Sequence, residues 1–274
     1  MPQALQGKTI WITGASSGVG EGMATVFHRA GADIIISGRR EAELQRVKAT
    51  CTGGPGSVTV SAFDIVDPVQ REAAAQSVLE RFERLDVLVN NAGIGQRSLV
   101  QDTSLDVDRR IMEVDFFAPI ALTKLVLPRM IEQQGGHLVV TSSVAGKHAV
   151  PFHATYCAAK HALHGWYDTL RIEHLKDEIA VTLLVIAGIR SNVFEHALTG
   201  DGSEYGSSDF GSGSGMTAES CAQRVVTAIV NREPEVVISI EEAKQAMLLK
   251  DKDPVAFTDR MASLMTWMSG QENN

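Results

Sequence analysis

The sequence predicts an α/β fold in which a parallel sheet is covered by helices on both faces. Three observations carry this. Short apolar runs alternate with longer segments of helical periodicity, the pattern of βαβ units. The runs are near-continuously apolar, as expected for strands buried on both faces. The first run leads straight into a glycine-rich turn and then a helix.

Taken in order, residues 8–13 read as the first strand, and 21–30 carry apolar residues at helical spacing. Residues 33–37 are β-branched and form the second strand, with a helix over 41–50. The third strand covers 57–62 and its helix 69–82; the fourth strand is 87–90. A long helix spans 105–133, with a bend expected at Pro119, because proline removes a backbone donor. A fifth strand at 137–142 precedes a helix over 156–176. A sixth strand at 181–186, a helix at 218–231 and a seventh strand at 235–240 complete the pattern. After Asp251, Met and Trp recur at loose helical spacing, which suits core packing or a subunit contact. Residues 1–274 are read as one domain. The Gly- and Ser-rich stretch 200–215 reads either as a flexible surface insert or as a lid beside the site.

Hydrophobic residues make up 44% of the 274 and charged residues 21%, enough apolar surface for a sizeable core. A net charge of −8 argues against a nucleic-acid or anionic-membrane partner. The N-terminal residues lack the apolar stretch of a signal peptide, and runs such as 181–187 are too short to span a bilayer. Cys51, Cys157 and Cys221 show no zinc or redox spacing. A cytoplasmic location is expected.

The turn after the first strand reads Thr13-Gly14-Ala15-Ser16-Ser17-Gly18-Val19-Gly20. Glycine there permits tight turning and close approach of a pyrophosphate, and the helix N-terminus beyond offers free N–H groups and a positive dipole end. A site for NAD usually carries an acid about twenty residues on, at the end of strand two, for the ribose 2′-hydroxyl. Here that strand ends Ile36-Ser37-Gly38-Arg39-Arg40. With no acid there, Arg39 is placed to clamp a 2′-phosphate, Ser37 and Arg40 assisting, and NADP is the expected cofactor.

With these glycines at G-x-x-x-G-x-G spacing, the chain resembles a short-chain dehydrogenase/reductase, and further motifs follow in that family's order. Asp64-Ile65 resembles the pair that touches the adenine, and Asn90-Asn91-Ala92-Gly93 resembles the family's NNAG turn. Ser143, Tyr156 and Lys160 match its serine and its Tyr-x-x-x-Lys, and parts of the C-terminal third resemble the hydroxysteroid-dehydrogenase-like branch. The resemblance implies a doubly wound Rossmann-type domain with a parallel sheet of about seven strands. It also implies a homodimer or homotetramer joined through helices 105–133 and 156–176.

Tyr156 and Lys160 are four residues apart on a helix, which puts both on one face. A free tyrosine has a pKa of ~10, and a nearby ammonium favours its phenolate. The resemblance adds contacts from Tyr156 and Lys160 to the nicotinamide ribose. Ser143 or its neighbour Ser142 would donate to a substrate carbonyl; the family's spacing to the tyrosine favours Ser143. Two departures stand out. Asp115 occupies the family's asparagine position, where a backbone carbonyl holds a water near the lysine; the added charge favours protonated Lys160 and weakens its effect on the tyrosine. The Pro-Gly turn after strand six reads Ala187-Gly188, which would loosen that wall, and Ser191 stands where a threonine usually meets the nicotinamide amide.

The reading is an NADP-dependent oxidoreductase acting on a carbonyl or secondary alcohol, with Tyr156 as general acid/base. The rival, motivated by Asp115 and the altered turn, is a protein that holds dinucleotide without turnover. His148, His153, His161 and His164 show no metal-ligand pattern, so no metal is expected. The substrate-side segments 95–102, 145–153 and 193–215 lack an arginine cluster, which points to a small, neutral, fairly apolar substrate.

Overall fold

A computed structural model of the chain describes residues 3–190, 195–206 and 215–271. Its centre is a seven-stranded sheet in the order β3-β2-β1-β4-β5-β6-β7, every neighbouring pair parallel. The strands are β1 (Thr9–Thr13), β2 (Asp33–Gly38), β3 (Val58–Ala62), β4 (Val87–Asn90), β5 (Gly136–Ser143), β6 (Ile179–Ile186) and β7 (Glu235–Ile238). The helices between them are α1 (Gly18–Arg29), α2 (Glu41–Thr50), α3 (Pro68–Arg81), α4 (Leu105–Met112), α5 (Ala118–Glu132), α6 (Ala154–Glu173) and α7 (Ala218–Val230). The expected doubly wound α/β class is therefore what the chain adopts.

Strand periodicity divides the core into two layers. Ile10 and Ile12 of β1 and Ile34 and Ile36 of β2 point to one face, where Met23 and Phe27 of α1, Leu44 of α2 and Val225 of α7 cover them. Trp11 and Ile35 point to the other, under Val78 of α3, Leu122 and Val126 of α5 and Leu163 of α6. Strand order reverses between β1 and β4, and the crevice outside their carboxyl ends is where such sheets bind ligands.

The long helix expected over 105–133 is interrupted, but not at Pro119. Residues Glu113–Phe117 form a π-helical turn in which Ala118 N–H donates to the Glu113 carbonyl. Pro119 sits just beyond, in the first turn of α5, where its missing N–H does little harm. After β7 come two helices, α8 (Glu241–Lys252) and α9 (Pro254–Gln271). They reach the loop after β5: Lys250 Nζ donates to the Lys147 carbonyl at 2.6 Å, and Phe257 lies edge-on to His148. Part of the Gly/Ser stretch is built, not loose. Asp201 accepts from the Thr199 and Ser203 hydroxyls and from Ser203 N–H, and Tyr205 N–H pairs back to the Ala197 carbonyl. Residues 207–214 of that stretch lie outside the described residues.

Candidate active site

The glycine-rich turn after β1 is held from below by one hydroxyl. Thr13 Oγ1, buried at the end of β1, donates to the Val89 carbonyl and accepts from the N–H groups of Asn91 and Ala92 at 3.0 and 3.1 Å. Asn91 returns the contact: its Nδ2 donates to the carbonyls of Thr13 and Gly14, and its Oδ1 accepts from Thr141. The NNAG turn thus locks β1, β4 and β5 at their carboxyl ends. Gly14 has φ +65°, and a Cβ there would lie 2.7 Å from Ala92 Cα, so no larger residue fits. Beyond Ser16, Ser17 is the N-cap of α1 but makes no side-chain cap bond, which leaves the first-turn N–H groups of Gly18, Val19 and Gly20 without a side-chain acceptor. A cleft of about 510 Å³ opens here, lined by Ser17, Gly18, Arg40, Arg46, Arg190 and His196 among others.

At the mouth of this cleft the two expected arginines have different surroundings. Arg40 Nη2 donates to Ser16 Oγ at 3.3 Å and Ser17 Oγ at 3.5 Å, while Arg39 is exposed beside it. Ser37 takes no part: it is buried and accepts from Trp11 Nε1 at 2.8 Å, facing the core. Arg46, which the sequence reading missed, pairs with Glu21 and Glu43 and donates to the Ser16 carbonyl. Only its tertiary placement brings it there. At the end of β3, Asp64 Oδ1 accepts from Val66 N–H, and Ile65 is buried in the second core layer.

The catalytic candidates meet at the carboxyl ends of β4 and β5. Helix α6 places the Lys160 ammonium 5.4 Å from the centre of the Tyr156 ring. Lys160 Nζ also donates to the Thr141 carbonyl at 3.2 Å and lies 3.1 Å from Asp115 Oδ2. Alternation along β5 separates the two serines. Ser142 Oγ points away and bonds His164 Nε2 at 2.8 Å, whereas Ser143 lies on the Tyr156 side, where its hydroxyl pulls the phenol's pKa down. Ser143 is therefore the serine that shares the tyrosine's site.

Asp115 acts through its side chain. The π-helical turn carries it inward, fully buried, and Oδ1 accepts from Ile94 N–H at 2.8 Å. Gly93 allows the approach, since a Cβ there would stand 3.1 Å from Asp115 Oδ2 and 3.5 Å from Lys160 Nζ. Burial raises the Asp115 carboxyl above its usual range, against the pull of Lys160. Burial works against the Lys160 charge, but the Asp115 carboxylate and Tyr156 outweigh it and hold the ammonium's pKa up. Tyr156 is raised, chiefly by burial and further by Asp115, although Lys160 and Ser143 pull the other way. The sequence-based expectation that Lys160 lowers the tyrosine holds for its own contribution and not for the balance.

This yields an expected result for Asp115→Asn. Removing the carboxylate lowers the Tyr156 pKa. With Tyr156 as the expected general acid/base, alcohol oxidation would need the phenolate and rise with pH, so its rising limb would move to lower pH than in the wild type. Reduction would need the phenol, so its falling limb would move the same way. Rate–pH profiles in both directions check this, and limbs that stay in place would show that Asp115 does not tune the tyrosine.

The turn after β6 is pinned, not loosened. Ala187 N–H donates to the Ile238 carbonyl at 3.1 Å, a bond proline could not make, and Gly188 and Arg190 pair with Met216. Ser191 lies outside the described residues. The histidines near the site have separate partners: His148 bonds the Ala149 carbonyl, His153 that of Pro151 and His161 that of Cys157. Among the described residues no group of three or more His, Cys, Asp or Glu could hold a metal ion.

A glycine-rich turn at the sheet's switch point, next to a tyrosine and lysine one helical turn apart, defines a Rossmann-type oxidoreductase. The chain belongs to the short-chain dehydrogenase family, whose model matches residues 8–201. Among curated relatives it is 38% identical over 263 residues to dehydrogenase/reductase SDR family member 7B of Mus musculus, covering 94% of this chain and 81% of that protein. It is 39% identical to the SDR family protein 7-like of Drosophila melanogaster, covering 91% and 78%. Among solved structures, a short-chain dehydrogenase from Streptomyces avermitilis superposes with a TM-score of 0.78 at 26% identity, covering 97% of this chain and 98% of that one. A metagenomic short-chain oxidoreductase in complex with NADP gives 0.71 at 26% identity, covering 86% and 98%.

Proposed function

We propose that this protein is an NADP-dependent oxidoreductase that moves hydride between the nicotinamide and a small, neutral, fairly apolar carbonyl or secondary alcohol. The convergence of Ser143, Tyr156 and Lys160 at one point of the sheet's carboxyl edge carries the reading. The site fits a dinucleotide: the Gly14 turn leaves no room for a side chain, the α1 N-terminus lacks a side-chain cap, and Arg40 lies against both serines of the loop. Gly14, Ser16, Ser17, Gly18, Val19 and Gly20 would hold the pyrophosphate, Arg39 and Arg40 the 2′-phosphate, and Asp64 with Ile65 the adenine. Asn91, Ala92, Gly93, Tyr156, Lys160 and Ser191 would border the nicotinamide and its ribose. When bound, the reduced cofactor supplies the hydride.

The chain's own residues do the rest. Ser143 donates to the substrate oxygen and polarises it. Tyr156 delivers its proton to the developing alkoxide, and a phenol kept protonated by burial is suited to that direction. Lys160, held charged by Asp115, stabilises the phenolate left behind. Val107, Ile111 and Leu198 cluster beside Ile94 and Tyr156 and present an apolar wall to the substrate. A cytoplasmic homo-oligomer is the form in which we expect the protein to work; among the described residues no helix is long and apolar enough to cross a membrane.

The Asp115 grip on Lys160 favours one rival, a protein that binds the dinucleotide without turnover. The test is the loss of reduced-cofactor absorbance with NADPH and a panel of neutral aldehydes and ketones. Turnover of an apolar carbonyl is the expected outcome. Tight NADPH binding with no oxidation across the panel would favour the rival.

A further inference from the structure

Helix α6 begins without a cap of its own. His153 at the N-cap position makes no side-chain cap bond, because its Nδ1 is turned to the Pro151 carbonyl at 2.6 Å. The first N–H groups of a helix have no partner inside it, and buried ones left unpaired are costly. Here they are met from another part of the chain. Gln96 Oε1 accepts from Thr155 N–H at 2.9 Å and from Tyr156 N–H at 3.1 Å.

The orientation of that amide is fixed. Thr103 Oγ1 donates to the Leu99 carbonyl at 2.8 Å, so it is an acceptor for Gln96 Nε2 at 3.3 Å. Gln96 is fully buried, and its backbone pairs with the substrate-side segment: Arg97 N–H donates to the Leu198 carbonyl and Leu198 N–H to that of Gly95. Leu198 in turn belongs to the apolar cluster against which Tyr156 packs. One side chain therefore joins the start of the tyrosine's helix to the loop that borders the substrate.

We propose that Gln96 is a positioning residue for Tyr156, setting the phenol's place by capping α6 from the substrate-side loop. The inference rests on the reading of Tyr156 as general acid/base. A phenol displaced by about 1 Å reacts far more slowly while cofactor binding, made mostly by the β1–α1 turn, is untouched.

The test uses the full chain with two variants and two readouts. In Gln96→Leu the caps are lost. We expect kcat to fall about tenfold or more, the Kd for NADPH to stay within about twofold, and amide exchange at Thr155 and Tyr156 to accelerate. Gln96→Glu keeps an acceptor for both N–H groups. It should restore exchange protection and most of the rate. Tyr156 already faces Lys160, Asp115, Cys157 and His153, and the new charge adds to that of Asp115. The oxidation pH limb of Gln96→Glu should therefore move to higher pH, a shift that a merely structural residue would not produce. Wild-type kcat in Gln96→Leu, or unchanged exchange at both amides, overturns the inference. If the wild type itself turns nothing over, the reading of the reaction falls, and the exchange arm alone decides whether Gln96 holds the tyrosine's helix.

Discussion

Replacing Tyr156 by Phe is expected to lower kcat for the proposed carbonyl reduction by about a thousandfold and to leave the Kd for NADPH within about twofold of the wild type. The substitution removes one hydroxyl and keeps the ring that packs against the Val107, Ile111 and Leu198 cluster. What is lost is the proton that must reach the alkoxide. Ser143 cannot replace it, since an aliphatic hydroxyl is a far weaker acid than a phenol. Lys160 is committed to Asp115 and the Thr141 carbonyl. Steady-state rates over a range of pH, together with a fluorescence titration of cofactor, check the result. A variant with wild-type kcat would remove Tyr156 from the mechanism.

The double substitution Arg39→Ala with Arg40→Ala is expected to raise the Kd for NADPH by about a hundredfold and to leave that for NADH nearly unchanged. Charge-assisted hydrogen bonds to a phosphate contribute roughly 1.5–3 kcal/mol each, and both guanidinium groups lie at an exposed, partly screened mouth. The two together therefore give less than the sum. Arg40 should account for the larger share, because it already lies against Ser16 and Ser17. Titration of the wild type and both single variants with each cofactor separates the contributions. Equal affinity of the wild type for NADH and NADPH would refute the arginine argument.

Most of the fold was legible because it rests on local rules. Apolar runs, helical spacing and the glycine turn each report on a few adjacent residues; all seven strands fall within two residues of the expected limits, and the helices within three, apart from the break at 113–117. The seventh strand ends at Ile238, where the polar Ser239 and the start of α8 stop it. The Tyr156–Lys160 pair was legible for the same reason. What escaped the sequence depends on direction and long-range contact. Arg39 and Arg40 are indistinguishable as letters, and only the path of the chain turns Arg40 to the loop. Ser37 looks available until Trp11 Nε1 is found on it. The charge of Asp115 near Lys160 is expected from the sequence, but its direct 3.1 Å contact depends on a π-helical turn that no propensity signals. Gln96 gave no signal either, as its partners lie 59 and 60 residues away.

That widened turn has a consequence for how the gene can change length. A π-helical turn is in effect one residue inserted into an α-helix, and here the extra residue sets the phase between α4 and α5. An α-helix advances about 100° per residue. Deleting any one codon within 113–117 would regularise the helix and rotate everything on one side of it by that amount, turning Asp115 off Lys160 or the Leu122–Val126 stripe off the sheet. The helix is thus intolerant of a one-residue deletion where it looks most irregular, and a homologue that lost the codon would have to reach Lys160 from a different position.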